Sequence, residues 1–280
     1  MAYSIEPKQP SRLPPDRWVR GVPTPLQMLL ALALAAGAVY LAEVFWTDIA
    51  TPARSLLYTV IHENGHAIPE VLSQDGEVLE IFFNMDGSGY VLSTGGSDTM
   101  LRVGLGLMLP VLVAALLTVL GLLRFGLAIT LGLIFIVLFW QAVFFGREHD
   151  MRVFWTICYW ALPALIVAFC PWPLLRSTAV LIYAVALTLG VIDALPYLHV
   201  EYVDRPAPFT AGMEPAPQAA PSSIQSPERA YKIPSDIREL ADYWGAEEIA
   251  QPRRYIHALM IACALLAAAA IISFNLRYRS

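Results

Sequence analysis

Long apolar runs recur along this chain, and they leave it few ways to fold. Seven of them, roughly residues 27–46, 52–73, 101–123, 125–146, 154–171, 177–198 and 255–275, approach the ~20 residues that an α-helix needs to cross a bilayer. In lipid the backbone must satisfy its own N–H and C=O groups, so such runs fold as helices packed in a bundle. Composition agrees: 57% of the 280 residues are hydrophobic and only 15% are charged, too apolar for an ordinary soluble domain. The expected fold class is an all-α polytopic membrane protein, a bundle of about seven transmembrane helices with a small β-hairpin insert.

The second run is interrupted by polar residues in a specific order, His62-Glu63-Asn64-Gly65-His66. Two histidines at i and i+4 share one face of a helix. Their ring nitrogens are then placed to grip one Zn²⁺, while Glu63 is placed to take a proton from a metal-bound water. The flanks, Ser55 to Ile61 and Ala67-Ile68, are apolar. Polar side chains in such a setting are expensive, and they mark function. The alternative is a cluster of polar groups that only packs helices together.

A catalytic zinc normally takes three protein ligands and keeps one position for water. Asp193 is the leading candidate for the third. It lies within the apolar sequence Gly190-Val191-Ile192-Asp193-Ala194-Leu195-Pro196. An unpaired carboxylate there costs roughly 2.5–3.5 kcal/mol on insertion scales, so a cationic partner is expected. His149 and Asp150, in the charged connector after the fourth run, are the next candidates, followed by Glu70 one turn after His66. His199 and His257 fall at run ends, where a lone histidine reads as an interfacial residue.

Between the runs, residues 74–100 have strand character. Val78 to Asn84 and Gly89 to Ser93 form two candidate strands joined by Asp86-Gly87, a turn pair. The hairpin either offers an edge to an extended substrate or covers the site. Residues 204–234 are rich in Pro, Ala and Ser and read as a disordered tether. After them Ser235 is placed to cap a short helix through Trp244, stopped by Gly245, with Ile237, Leu240, Ala241 and Trp244 on one face.

Cys158, Cys170 and Cys263 lack metal-ligand spacing, and their odd number argues against a disulfide framework. No basic tract points to nucleic acid. With the N-terminus in the cytoplasm and seven crossings, thirteen of the eighteen basic residues fall inside, which favours that orientation and puts the histidines in the cytoplasmic half. A polar segment precedes the first run, which is also longer than the apolar core of a signal peptide.

On these residues the chain resembles the site-2 protease family of intramembrane zinc metallopeptidases, closest to its small, peptidase-like bacterial branch. The resemblance rests on His62-Glu63-Asn64-Gly65-His66-Ala67, on the glycine-containing hairpin Asp86-Gly87-Ser88-Gly89-Tyr90, and on Ile192-Asp193 in a later run. Familiar members carry Asn-Pro before the ligand Asp and Gly after it. Here Val191-Ile192 precedes and Ala194 follows, and no PDZ-sized insert is present. The resemblance implies Zn²⁺ held by His62, His66 and Asp193, Glu63 as catalytic base, membrane proteins or peptides as substrates, and a bacterial inner-membrane location. The rival expectation is a non-catalytic membrane scaffold or regulator with a structural or vestigial metal site. The corresponding division is a cytoplasmic segment 1–26, a membrane metallopeptidase core 27–198 with the insert 74–100, a Pro-rich linker and short helix 199–254, and a C-terminal transmembrane helix 255–280.

Overall fold

The structure is a computed structural model that describes residues 23–146, 150–205 and 231–279. Helix α1 spans Pro25–Phe45 and α2 spans Thr47–Leu72. A hairpin of β1 (Val78–Phe83) and β2 (Gly89–Ser93) follows. Then come α3 (Thr99–Leu123) and α4 (Leu127–Gln141), which runs on into a π-helical turn at Ala142–Gly146. Helix α5 covers Met151–Ala168, and α6 covers Pro173–Ala194 before tightening into a 3₁₀ turn at Leu195–His199. Strands β3 (Tyr202–Arg205) and β4 (Tyr231–Pro234) lead to α7 (Asp236–Tyr243) and α8 (Ala250–Arg279).

Helix starts are set by local chemistry. Thr24 and Gln27 form a capping box at α1, each side chain accepting from the other's backbone N–H at 3.2 Å, with Pro25 in the first turn. Asp98 caps α3 by accepting from Leu101 N, Asp150 caps α5 by accepting from Arg152 N, and Ser235 caps α7 by accepting from Arg238 N.

Among the described residues six helical segments are long and apolar enough to cross a membrane: α1, α3, α4 with its π turn, α5, α6 with its 3₁₀ turn, and α8. These match six of the seven expected spans. The second expected span is a helix, α2, that is not among these six. The packing of α1 places the start of α2. Met28, near its start, is reached by the amide of Asn275 near the end of α8. Ala31 and Ala35 cluster with Leu181, Leu122 and Leu174. At its other end Glu43 and Asp193 both meet Arg54. Helix α1 therefore runs parallel to α6 and antiparallel to α3 and α8. It delivers the chain to the face where α6 ends and α3 begins. Helix α2 starts on that face, and its far end, at Glu70, meets Ser97 and Arg102 at the start of α3. Both ends of α2 thus lie on one face of the bundle, and the helix runs obliquely through that half.

The hairpin lies along α2. Its strands pair antiparallel, with Ile81 opposite Val91 and Phe83 opposite Gly89. Gly87, at φ 83°, makes the turn, and its carbonyl accepts from the Thr59 hydroxyl. Phe83 and Ile81 are buried in the main apolar core with Leu56, Leu57 and Val60 of α2 and residues of α4, α5 and α6. A second core joins Val103, Leu107 and Met108 of α3 to Leu198, to Ile237, Leu240 and Ala241 of α7, and to Ile256 of α8. It docks α7 onto the bundle as its apolar face requires, each fully buried large side chain contributing roughly 1.5–3 kcal/mol. The expected tether falls mostly outside the described residues, and its ends pair as β3 and β4, Tyr202 opposite Pro234 and Arg205 opposite Tyr231.

Candidate metal centre

Helical spacing puts the two imidazoles of α2 together. His62 Nε2 and His66 Nε2 are 3.1 Å apart, with ring planes at 87°. The close approach of α2 to α3 makes room for the second ring. A Cβ on Gly65 would come within 2.6 Å of the Gly106 Cα, and one on Gly106 would come within 2.5 Å of His66 Nε2. Glycine at both positions lets the His66 ring lie against the α3 backbone. There its Nδ1 is 3.1 Å from the Arg102 carbonyl. A proton on Nδ1 donated to that oxygen leaves the Nε2 lone pair facing His62. The His62 ring stacks on Tyr58, with centroids 5.6 Å apart.

The carboxylate that joins them belongs to Asp236, the first residue of α7. Its Oδ2 is 3.1 Å from His62 Nε2 and 3.3 Å from His66 Nε2. Burial pushes the Asp236 carboxyl up, but the two imidazoles outweigh it and hold it well below the usual carboxylate range. Among the described residues His62, His66 and Asp236 form a group whose ligand-type atoms converge as a metal site requires. Three lone-pair atoms at such separations repel unless a proton or a cation lies among them. Two imidazole nitrogens and a carboxylate oxygen are a donor set that zinc takes. Atoms bound tetrahedrally at ~2.0–2.1 Å stand about 3.3 Å from one another, close to the observed spacing. The residues fit the ion.

Asp193, expected in that place, is elsewhere. Its Oδ2 is 2.7 Å from Arg54 Nη2. Arg54 Nε also lies 3.3 Å from Glu43 Oε1, although it is not aligned for a hydrogen bond. The cation that offsets a carboxylate in this apolar run is a guanidinium, so Asp193 ties α6 to α1 and α2. Glu70 is buried; it accepts from the Ser97 hydroxyl at 2.7 Å and lies 3.7 Å from Arg102 Nε. Asp150, besides capping α5, pairs with Arg152 at 2.8 Å. His149 lies outside the described residues. His199 faces Arg253, with His257 nearby at 6.4 Å between ring centroids.

Glu63 is buried between α2 and the hairpin. A Cβ on Gly89 of β2 would meet its Oε1 at 2.9 Å. Asn64 turns away, accepting from Gln141 at the end of α4 at 2.8 Å. Asp236 and Gly106 were not singled out from sequence. The signals were present: an acid in the first turn of an amphipathic helix, and the small-residue pattern Gly104-Leu105-Gly106 in an apolar run.

Residues 32–214 match the model of the Peptidase M50B-like family. The match takes in the histidine motif, the hairpin and Asp193, and it ends before α7. No curated protein and no solved structure matches the chain. With well over half of its length covered, the chain belongs to the Peptidase M50B-like family, a branch of the site-2 proteases.

Proposed function

We propose that the chain is an intramembrane zinc metalloendopeptidase in which His62, His66 and Asp236 hold the ion and Glu63 is the base. The observation that carries this reading is the convergence of one carboxylate oxygen and two imidazole nitrogens at 3.1–3.3 Å beside a buried glutamate. When bound, zinc supplies a Lewis acid and a water that ionises near pH 7. Glu63, next to the first histidine in sequence and buried beside β2, would be the base for that water, and would hold its proton and pass it to the leaving amine. His66 is kept in one tautomer by the Arg102 carbonyl, and Asp236 supplies the third donor from α7.

The substrates are membrane proteins or membrane-associated peptides. A membrane helix hides its carbonyls in its own hydrogen bonds and must unwind before hydrolysis. An unwound segment lying along the hairpin finds backbone partners for its N–H and C=O groups, and Glu63 stands next to β2. The location that fits six spans and this family is a bacterial inner membrane.

The test separates base from ligand. Glu63→Gln keeps zinc near one ion per chain and lowers cleavage of a membrane substrate by about 10²–10⁴-fold, the usual worth of a general base. A scaffold with a structural metal site predicts no cleavage by either form across a broad substrate panel. Wild-type turnover in Glu63→Gln removes Glu63 from the base role.

A further inference from the structure

We propose that Arg102 is a positioning residue for the metal centre: through Glu239 its guanidinium holds α7 in the rotation that brings Asp236 to the two histidines. The proposal rests on the metal-site reading above. Arg102 Nη2 donates to Glu239 Oε2 at 2.9 Å. Glu239 follows Asp236 by three residues, so both carboxylates rise from the same side of α7. On its other flank Arg102 Nε is 3.7 Å from Oε1 of the buried Glu70, and the Arg102 carbonyl sits 3.1 Å from His66 Nδ1. One residue thus touches the end of α2, the orientation of a ligand histidine and the helix that carries the third ligand.

Helix α7 needs such a hold. It has eight residues, too few to be stable alone. Ile237, Leu240 and Ala241 bury its apolar face, a non-directional contact, Ser235 bonds the Val200 carbonyl at its cap, and Tyr243 bonds Asp98 at its far end. The charge-assisted hydrogen bond of Glu239 adds a directional hold one turn from Asp236. A small rotation of α7 would carry the Asp236 oxygen away from both imidazoles.

The test is zinc affinity, measured by chelator competition on the full chain purified in detergent. Arg102→Met and Glu239→Gln are each expected to weaken zinc binding by about 10–100-fold, as loss of a group that orients a ligand does. Arg102→Lys recovers part of the loss. The double variant is no worse than the weaker single, because both changes remove one bond. In an Asp236→Ala background Arg102→Met adds nothing. Circular dichroism checks folding, and if Arg102→Met does not fold, Glu239→Gln carries the test from the other end of the bond. Wild-type affinity in folded Glu239→Gln, additive losses in the double variant, or an Arg102→Met penalty that persists without Asp236 would each overturn the proposal. Wild-type affinity in Asp236→Ala overturns the ligand assignment itself, whatever the Arg102 variants do.

Discussion

Asp193 and Asp236 face the same physical demand, a charge near apolar surroundings that requires a cation, and they meet it differently. Asp193 has Arg54 at 2.7 Å, whereas Asp236 has two imidazoles within 3.3 Å. Asp236→Ala is therefore expected to reduce zinc affinity sharply. Asp193→Ala should leave zinc affinity unchanged and cost about 1–3 kcal/mol of stability, since it leaves the largely buried Arg54 with Glu43 alone. Metal content and thermal denaturation of the two variants distinguish the roles, and zinc loss in Asp193→Ala would reverse them. The motif His62-Glu63-x-x-His66 was legible because its geometry is local and helical spacing alone brings the rings together. The nearness of Asp236 to the two imidazoles was not legible. Asp236 is distant in sequence, and depth in the membrane pointed to Asp193, whose partner in the structure is the Arg54 guanidinium. Gly106 is equally a matter of contact. A methyl group there collides with the His66 ring, so Gly106→Ala should displace that imidazole and weaken zinc binding while helical content stays constant. Unchanged affinity would show that the ring has room to move.

Elements carried more of their own signature than their placement. The amphipathic face of α7, its Ser235 cap and its Gly245 stop were all readable, and Ile237, Leu240 and Ala241 are buried as expected. The hairpin followed from alternating residues around Asp86-Gly87 and folds where expected. What no local pattern states is that α7 presents Asp236 to α2 and is tethered to the start of α3. One tether is exposed and titratable, the hydrogen bond from the Tyr243 hydroxyl to Asp98 Oδ2 at 2.9 Å. That bond, with the Leu101 N–H, draws the Asp98 carboxyl below its ordinary value of 3.8. The same bond raises the Tyr243 hydroxyl above its ordinary 10.0. A lowered carboxylate stabilises the docked helix above its ordinary value and loses that effect as pH falls through the lower folded value. A raised phenol stabilises it below its ordinary value and loses that effect as pH rises through the higher one. Hydrogen-exchange protection of α7, compared between wild type and Tyr243→Phe, should then differ by a constant amount between about pH 5 and 9. The difference should vanish well below pH 3.8. A difference that varies steeply near neutral pH would assign the tether to other groups.

At the scale of the whole molecule, six spans were readable from length and hydropathy, but their direction was not. Direction depends on how many times the chain crosses, and α2 is the ambiguous member. Its 26 residues would extend about 39 Å at 1.5 Å per residue, enough to span, so length does not decide. The contacts do: Arg54 at one end of α2 and Glu70 at the other both meet residues on the same face of the bundle. Moving Arg54 to the face of the metal centre, and Lys8, Arg12, Arg17 and Arg20 to the opposite one where α1 begins, changes the balance of basic residues to ten against eight. Loop charge then no longer chooses a side, because the positive-inside rule needs a clear excess. The contacts still make a firm prediction. The start of α1 and the end of α8 are expected on one side of the membrane, and the metal centre with β3 and β4 on the other. Single cysteines introduced as Ser4→Cys, Ser222→Cys and Ser280→Cys, in a chain lacking Cys158, Cys170 and Cys263, test this with a maleimide that does not cross the bilayer. In sealed vesicles of one orientation, Ser4→Cys and Ser280→Cys should label together, and Ser222→Cys only after the membrane is opened, or the reverse. Labelling of Ser4→Cys and Ser222→Cys from the same side would mean that α2 crosses fully, and that the two faces assigned from Arg54 and Glu70 are wrong.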